Sequence, residues 1–190
     1  YQYVVKAKPG YGSKYDATSL RTIQDWVVRR QLMGVKGIAE VSSFGGKLKQ
    51  YQVEVDPNKL NASGVTIYDV FNALEANNQN TGGGYIEKNA TALYVRTEGL
   101  IGSKDEIGKI PVKNVSGTPL LIRDIAEVTE GNATRYGAVT YNDQGEVAGG
   151  VVMMLKGANS SEVIKNVKDR IEQIKKTLPE GVEIEPFLDR

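Results

Sequence analysis

Apolar residues recur along this chain with two different periods, and the switches between them outline its elements. "QYVVKAK" over residues 2–8 alternates like a strand. The pattern then lengthens to a helix over about 16–32, with Asp16 as N-cap and Leu20, Ile23 and Val27 on one face. Gly34 and Gly37 mark its end. Strands follow over 37–44 and 48–55, and Gly45–Gly46 between them is a hairpin signal. The same order returns near the other end. A hairpin of "YGAVTY" and "EVAGGVVMML" turns at "NDQG". A strong helix over about 160–177 carries Val163, Ile164, Val167, Ile171, Ile174 and Leu178 as one stripe, with Lys and Glu opposite. Asn159 with Glu162 forms a variant capping box, Pro179 and Gly181 stop the helix, and "VEIEPFL" is the closing strand.

Between these halves the pattern predicts a short helix at 57–62, a helix at 66–77, strands near 84–97, a short helix at 103–108, and strands near 110–114 and 119–129. Each end segment has an apolar helix face and too few strands to cover it. Right-handed crossovers pair the two ends into one sheet with both helices on one side. The expected class is α+β: a split ferredoxin-like unit of two βαβ-type halves, 1–55 and 135–190, with a second α+β unit, 56–134, inserted between them.

Inside the insert, "NNQNTGGGYIEKNATALYV" runs from a polar helix end through Gly82, Gly83 and Gly84 into strand-like alternation. The glycines give the backbone freedom at an entropic cost. The segment has too little apolar content to build a core of its own, so it suits burial against another chain.

Composition removes several function classes. The sequence has no cysteine and no histidine, so it lacks thiolate chemistry, the usual general base and the commonest metal ligand. Its net charge is +1, and no basic run exceeds two residues, so nothing marks a nucleic-acid partner. The glycine run lacks the Lys-Ser/Thr of a phosphate loop, and "AKPGYGSKYDA" has no arginine for an acyl-phosphatase-like site. Asp105–Glu106 reads as a helix start. Neither an enzyme nor a cofactor is expected. No stretch reaches the roughly 18 apolar residues of a membrane span. The ends lack an initiator methionine and stop abruptly after a strand, which reads as a piece of a longer chain. Several of the N-x-S/T matches at Asn61, Asn89, Asn114, Asn132 and Asn159 sit at turns or helix caps, and all read as structural.

The run "GVKGIAEVSSFGGKLKQYQVEVDPNKLNASGVTIYDVFNALEANNQNTGGG" resembles the first large periplasmic loop of the resistance–nodulation–division (RND) efflux pumps. "GTPLLIRDIAEVTEG" and "VAGGVVMMLKGANSSEVIKNVKDRIEQIKKTLPEGVEIEPFLDR" fit the same template in order, so the likeness covers nearly the whole chain. The wording is nearest to the heavy-metal branch, the CzcA/CusA type. The resemblance implies a porter subdomain made of 1–55 and 135–190, with an inserted docking subdomain at 56–134. It implies the periplasmic part of a bacterial inner-membrane, proton-driven pump that acts as a homotrimer with a periplasmic adaptor and an outer-membrane channel. It implies Ser43, Phe44, Tyr136, Gly150 and Met154 as substrate-path residues. It also implies an inter-protomer arm rooted at Gly82, Gly83 and Gly84, with Tyr85, Ile86, Glu87, Lys88 and Asn89 at its tip. The alternative is a free-standing periplasmic binding or adaptor module.

Metal chemistry is poorly supplied. Soft monovalent copper or silver wants sulfur donors, and the thioethers present are Met33, Met153 and Met154. Met153 and Met154 are adjacent in a strand and face opposite sides, with Met154 the better candidate for a cleft. Core filling is the ordinary role of such methionines. Zinc, cobalt and nickel normally recruit His or Cys. No metal site is expected. Gly149–Gly150 inside a strand predicts a bulge or a close approach by another backbone.

Overall fold

The computed structural model describes residues 1–79, 81–88, 91–97 and 100–189. It divides into two compact units, Tyr1–Lys49 with Asn132–Arg190, and Gln50–Gly131.

The first unit opens with β1 (Gln2–Ala7), whose Tyr3, Val4 and Val5 are all buried. Burial on both faces places β1 inside its sheet. Asp16 then caps the next helix by accepting the Ser19 N–H at 2.8 Å. That helix runs through α1 (Ala17–Ile23), a π-helical segment (Gln24–Val28) and α2 (Arg29–Met33). Its buried stripe is Leu20, Gln24, Val28 and Leu32, one residue in four. At 3.6 residues per turn such a stripe drifts by about 40° at each step. The wider π turn takes up that drift, and all four stay against the sheet. Of the face expected from sequence, Leu20 is buried, while Ile23 and Val27 are only half-buried.

Next come β2 (Ile38–Gly45) and β3 (Lys49–Val55), and they do not form the expected hairpin. β2 pairs with a later strand, whereas β3 pairs inside the second unit. Gly45 and Gly46, both at φ 66°, let the chain lie on the start of α1 instead. There Arg21 Nη1 donates to the Gly45 carbonyl at 2.8 Å and the Lys47 N–H donates to the Ala17 carbonyl at 3.1 Å. A Cβ on Gly46 would collide with Arg21 and Ala17. The apolar positions of β3, Val53 and Val55, find their neighbours in the second unit.

The second unit continues through α3 (Pro57–Ser63), α4 (Ile67–Ala76), β4 (Thr81–Lys88), β5 (Thr91–Thr97), α5 (Lys104–Gly108), β6 (Pro111–Val115), β7 (Thr118–Leu121), α6 (Ile122–Ile125) and β8 (Ala126–Asn132). Its strands pair as β3–β8, β4–β5 and β6–β7. Helix starts are well signalled. Asp56 caps α3 with Pro57 behind it, and Thr66 and Asp69 form a reciprocal capping box on α4. Two clusters, around Ile107, Ile110 and Ile122 and around Leu60, Val70 and Ile125, make the interior. The strand expected over 119–129 is broken by α6. Ile122 and Ile125 are both fully buried, and spacing of three residues brings them to one side only in a helical turn. Asp124 fixes that turn by accepting the Leu121 N–H at 2.8 Å.

The glycine run lies within β4, which starts earlier than the pattern suggested. Gly82 pairs with Arg96 and Gly83 with Val95, and the register slips between Gly83 and Tyr85. The segment expected as an arm root is therefore an irregular strand, with its register slip at Gly84. Asn89, the far end of the expected tip, lies outside the described residues.

The first unit resumes with β9 (Ala148–Met154), α7 (Ser160–Lys175) and β10 (Val182–Leu188). Its sheet has the order β10-β1-β9-β2, and every neighbour is antiparallel. Both edges of β9 are thus occupied, by β1 and β2. The expected partner "YGAVTY" has no edge left and is reduced to one bridge, Thr140 to Glu146. Of the stripe expected on α7, Val163, Val167, Ile171 and Ile174 are buried in one core with Tyr3, Leu32, Val41 and Ile184, Leu178 packs half-buried against it, and Ile164 is only half-buried. Each such side chain contributes about 1.5–3 kcal/mol on removal from water. Asn159 caps the helix by accepting from Ser161 and Glu162 N–H groups.

Candidate functional site

The four-stranded sheet has a helix-covered face and an opposite face, and alternation assigns every strand residue to one or the other. Tyr3, Val5, Val41, Ala148, Val152, Val182 and Ile184 belong to the helix-side core. By the same parity Ser43 and Gly150 lie on that side. They are directly paired across β2 and β9. Behind them stand Tyr3 and Gln24, both fully buried. Gln24 Nε2 donates to Ser43 Oγ at 3.2 Å. Gly150 leaves the space that this group needs: a Cβ there would meet the Tyr3 hydroxyl oxygen at 2.5 Å and Gln24 Nε2 at 2.9 Å. Burial pushes the Tyr3 phenol pKa up, so this side chain stays neutral.

The opposite face carries Val4, Lys6, Phe44, Gly149, Met153, Glu183, Glu185 and Phe187. A Cβ on Gly149 would strike the Tyr3 carbonyl oxygen and the Phe44 ring, so the glycine pair serves close approach, and β9 has no bulge there. Phe44 meets Phe187 edge-on, with centroids 6.3 Å apart, and Tyr141 closes on Phe187 at 6.2 Å. Beside these rings is a buried lysine. The Lys6 ammonium bonds Glu183 at 3.3 Å, Glu185, and Gln144 Oε1 at 3.0 Å. Its three N–H donors are therefore all satisfied. Tyr141 donates to Glu185 at 3.0 Å, which pins the 140–146 turn to the sheet. The Lys6 bond to Glu185 raises the lysine pKa and lowers that of Glu185. Burial and the same carboxylate raise the Tyr141 phenol.

The chemistry of this face is aromatic contact plus one buried lysine paired with two half-exposed carboxylates. No group of three or more His, Cys, Asp or Glu side chains able to hold a metal ion occurs among the described residues. No helix among them is long and apolar enough to cross a membrane.

The family model described as "AcrB/AcrD/AcrF family" matches residues 1–190. The chain belongs to that family. Among curated relatives, it is 41% identical over its full length to the cation efflux system protein CusA of Escherichia coli K12. It is 44% identical over its full length to the cobalt-zinc-cadmium resistance protein CzcA of Cupriavidus metallidurans. Two crystal forms of a heavy metal efflux pump superpose over the whole chain with TM-scores of 0.72 and 0.73 at 28% and 29% identity. The chain spans 18% of the length of each of these proteins. The likeness read from the sequence, to heavy-metal RND pumps, is what these matches show.

In this AcrB/AcrD/AcrF-family chain the five path residues expected from sequence fall into separate places. Ser43 and Gly150 are together, but on the helix side. Phe44 follows Ser43 in sequence and lies on the opposite face, paired with Gly149. Met154 pairs with Ile38, about 13 Å along β9 from Gly150, and is exposed rather than core-filling. Met153, also exposed, shares the face of Phe44. Tyr136 is fully exposed in the connection before β9 and packs in no core. Sequence reading missed Lys6, Phe187 and Gln24. Lys6 had a signal, a lone charge in an otherwise apolar strand. The roles of Phe187 and Gln24 depend on pairing that only the fold supplies.

Proposed function

We propose that this chain is the periplasmic porter and docking portion of a proton-driven RND pump that exports heavy-metal cations. The observation that carries the reading is the match over every residue of the chain to proteins named for cation efflux and metal resistance. In this reading the unit built from both ends of the chain is a split ferredoxin-like porter subdomain. Its strand order, β10-β1-β9-β2 with α1–α2 and α7 on one side, supports that assignment. The middle unit is the docking subdomain, and β4–β5 is the arm that reaches a sister protomer. An adaptor and an outer-membrane channel complete the assembly. The Phe44–Gly149–Met153 face is the wall of the substrate passage. Ser43 and Gly150 back that wall, and Tyr136 and Met154 stand at its margins. The ion is cargo that passes without a resident site here, since neither thiolate nor imidazole is present.

Deleting the parent gene and measuring tolerance to copper, silver, zinc, cobalt, cadmium and nickel salts tests this. Loss of tolerance to at least one of them, restored by the intact gene, is expected. Unchanged tolerance and unchanged cell metal content for all six would overturn the reading.

A further inference from the structure

Trp26, the chain's one tryptophan, sits in the middle of the π-helical segment and is 60% exposed. The π turn that points Gln24 and Val28 inward sets Trp26 outward between them. Wide turns of this kind gather at functional sites. One turn further on, Arg30 lays its guanidinium over the indole at 4.0 Å from the ring centroid. Met33 and Leu48 are also well exposed, and with Asp25, Trp26, Arg29 and Arg30 they line a groove of about 480 Å³.

The rim of that groove is cationic. Asp25 is held by Arg21, whose Nε lies 2.7 Å from its carboxylate, so its charge is offset. Arg29 donates from Nε to the Val41 carbonyl at 2.8 Å and keeps its full charge at the rim. Arg30 adds a second charge. Trp, Met and Arg are the residues that protein interfaces concentrate, and Trp and Arg carry most of the binding energy there.

We propose that this groove docks an acidic polypeptide segment of a partner surface. One apolar side chain fills the space between Trp26, Met33 and Leu48, and flanking Asp or Glu side chains reach Arg29 and Arg30. Charge complementarity favours this occupant. A second copy of this chain meeting the same face about a two-fold axis would bring arginines against arginines. The proposal stands on this surface alone, independent of the transport reading.

The test uses the full-length parent protein in cells, with Trp26 replaced by the photo-crosslinker p-benzoylphenylalanine and adducts mapped by mass spectrometry. An adduct on a protein segment with Asp or Glu beside an apolar residue is expected. Arg30→Glu should cut its yield by about tenfold, the loss of roughly one strong charged contact. Arg30→Glu spares the Arg29 bond to Val41, and unchanged circular dichroism of the purified chain will confirm that the fold is retained. No adduct, an adduct on lipid or on a second copy of the groove, or a yield indifferent to Arg30→Glu would each overturn the proposal.

Discussion

Gly150 lies against Tyr3 so closely that a methyl group on the glycine would come within 2.5 Å of the phenolic oxygen. Residues from the two end segments of the chain thus fix each other's identity across the β1–β9 ladder. Gly150→Ala is expected to destabilise the unit by about 1–3 kcal/mol, the usual range for overpacking. Tyr3→Phe removes the nearest of the atoms that the methyl would strike, the phenolic oxygen. The double variant should therefore lose less than the sum of the two single losses. Urea unfolding of the four proteins checks this, and simple additivity would show that the phenolic oxygen is not what the methyl strains against.

Lys6 and Glu185 couple stability to pH. The lysine bond holds the Glu185 carboxyl below its ordinary value, so the folded state favours the ionised form. Stability from this pair is present above the ordinary carboxylate range. It is lost as pH falls through the lowered value. Lys6→Met removes the partner and leaves two carboxylates beside apolar neighbours. This variant should be less stable near neutral pH, and the gap to the wild type should narrow in acid. Chemical denaturation at a series of pH values gives both curves.

Gln24 presents a different balance. Its side chain is fully buried, and its Oε1 has no hydrogen-bond partner. An unmet buried carbonyl costs about 1–3 kcal/mol. Gln24→Met keeps the volume and discards the polar atoms, while Ser43, only half-buried, turns to water. The variant is expected to match or exceed the wild type by up to about 1 kcal/mol. A clear loss in thermal unfolding would mean that the Gln24–Ser43 hydrogen bond holds the π-helical segment in place.

The elements that sequence reading placed best are those whose information is local. Asp16 and Asn159 cap the helices expected of them, the short helix expected at 57–62 and the helix expected at 66–77 are both present, and α7 buries Val163, Val167, Ile171 and Ile174 as its period requires. The misplaced pairings are those decided elsewhere. Gly45–Gly46 has a hairpin's composition, but it is spent on contact with Arg21 and Ala17. Residues 136–141 look like a strand, but β1 and β2 already hold both edges of β9. The stripe Leu20–Gln24–Val28–Leu32 was hidden because a period of four fits neither a strand nor a regular helix. The candidate site was legible in part for the same reason. Ser43 and Gly150 meet across β2 and β9 while Phe44 faces the other way, and which face each one presents depends on the sheet register.

The proposed passage wall is tested most directly at Met153, on the face of Phe44. In the intact parent pump, Met153→Cys should react with a water-borne methanethiosulfonate reagent. Bound or transported metal cation should slow that reaction, and the modified pump should export metal more slowly. Labelling indifferent to metal, together with full efflux after modification, would show that this face lines no passage.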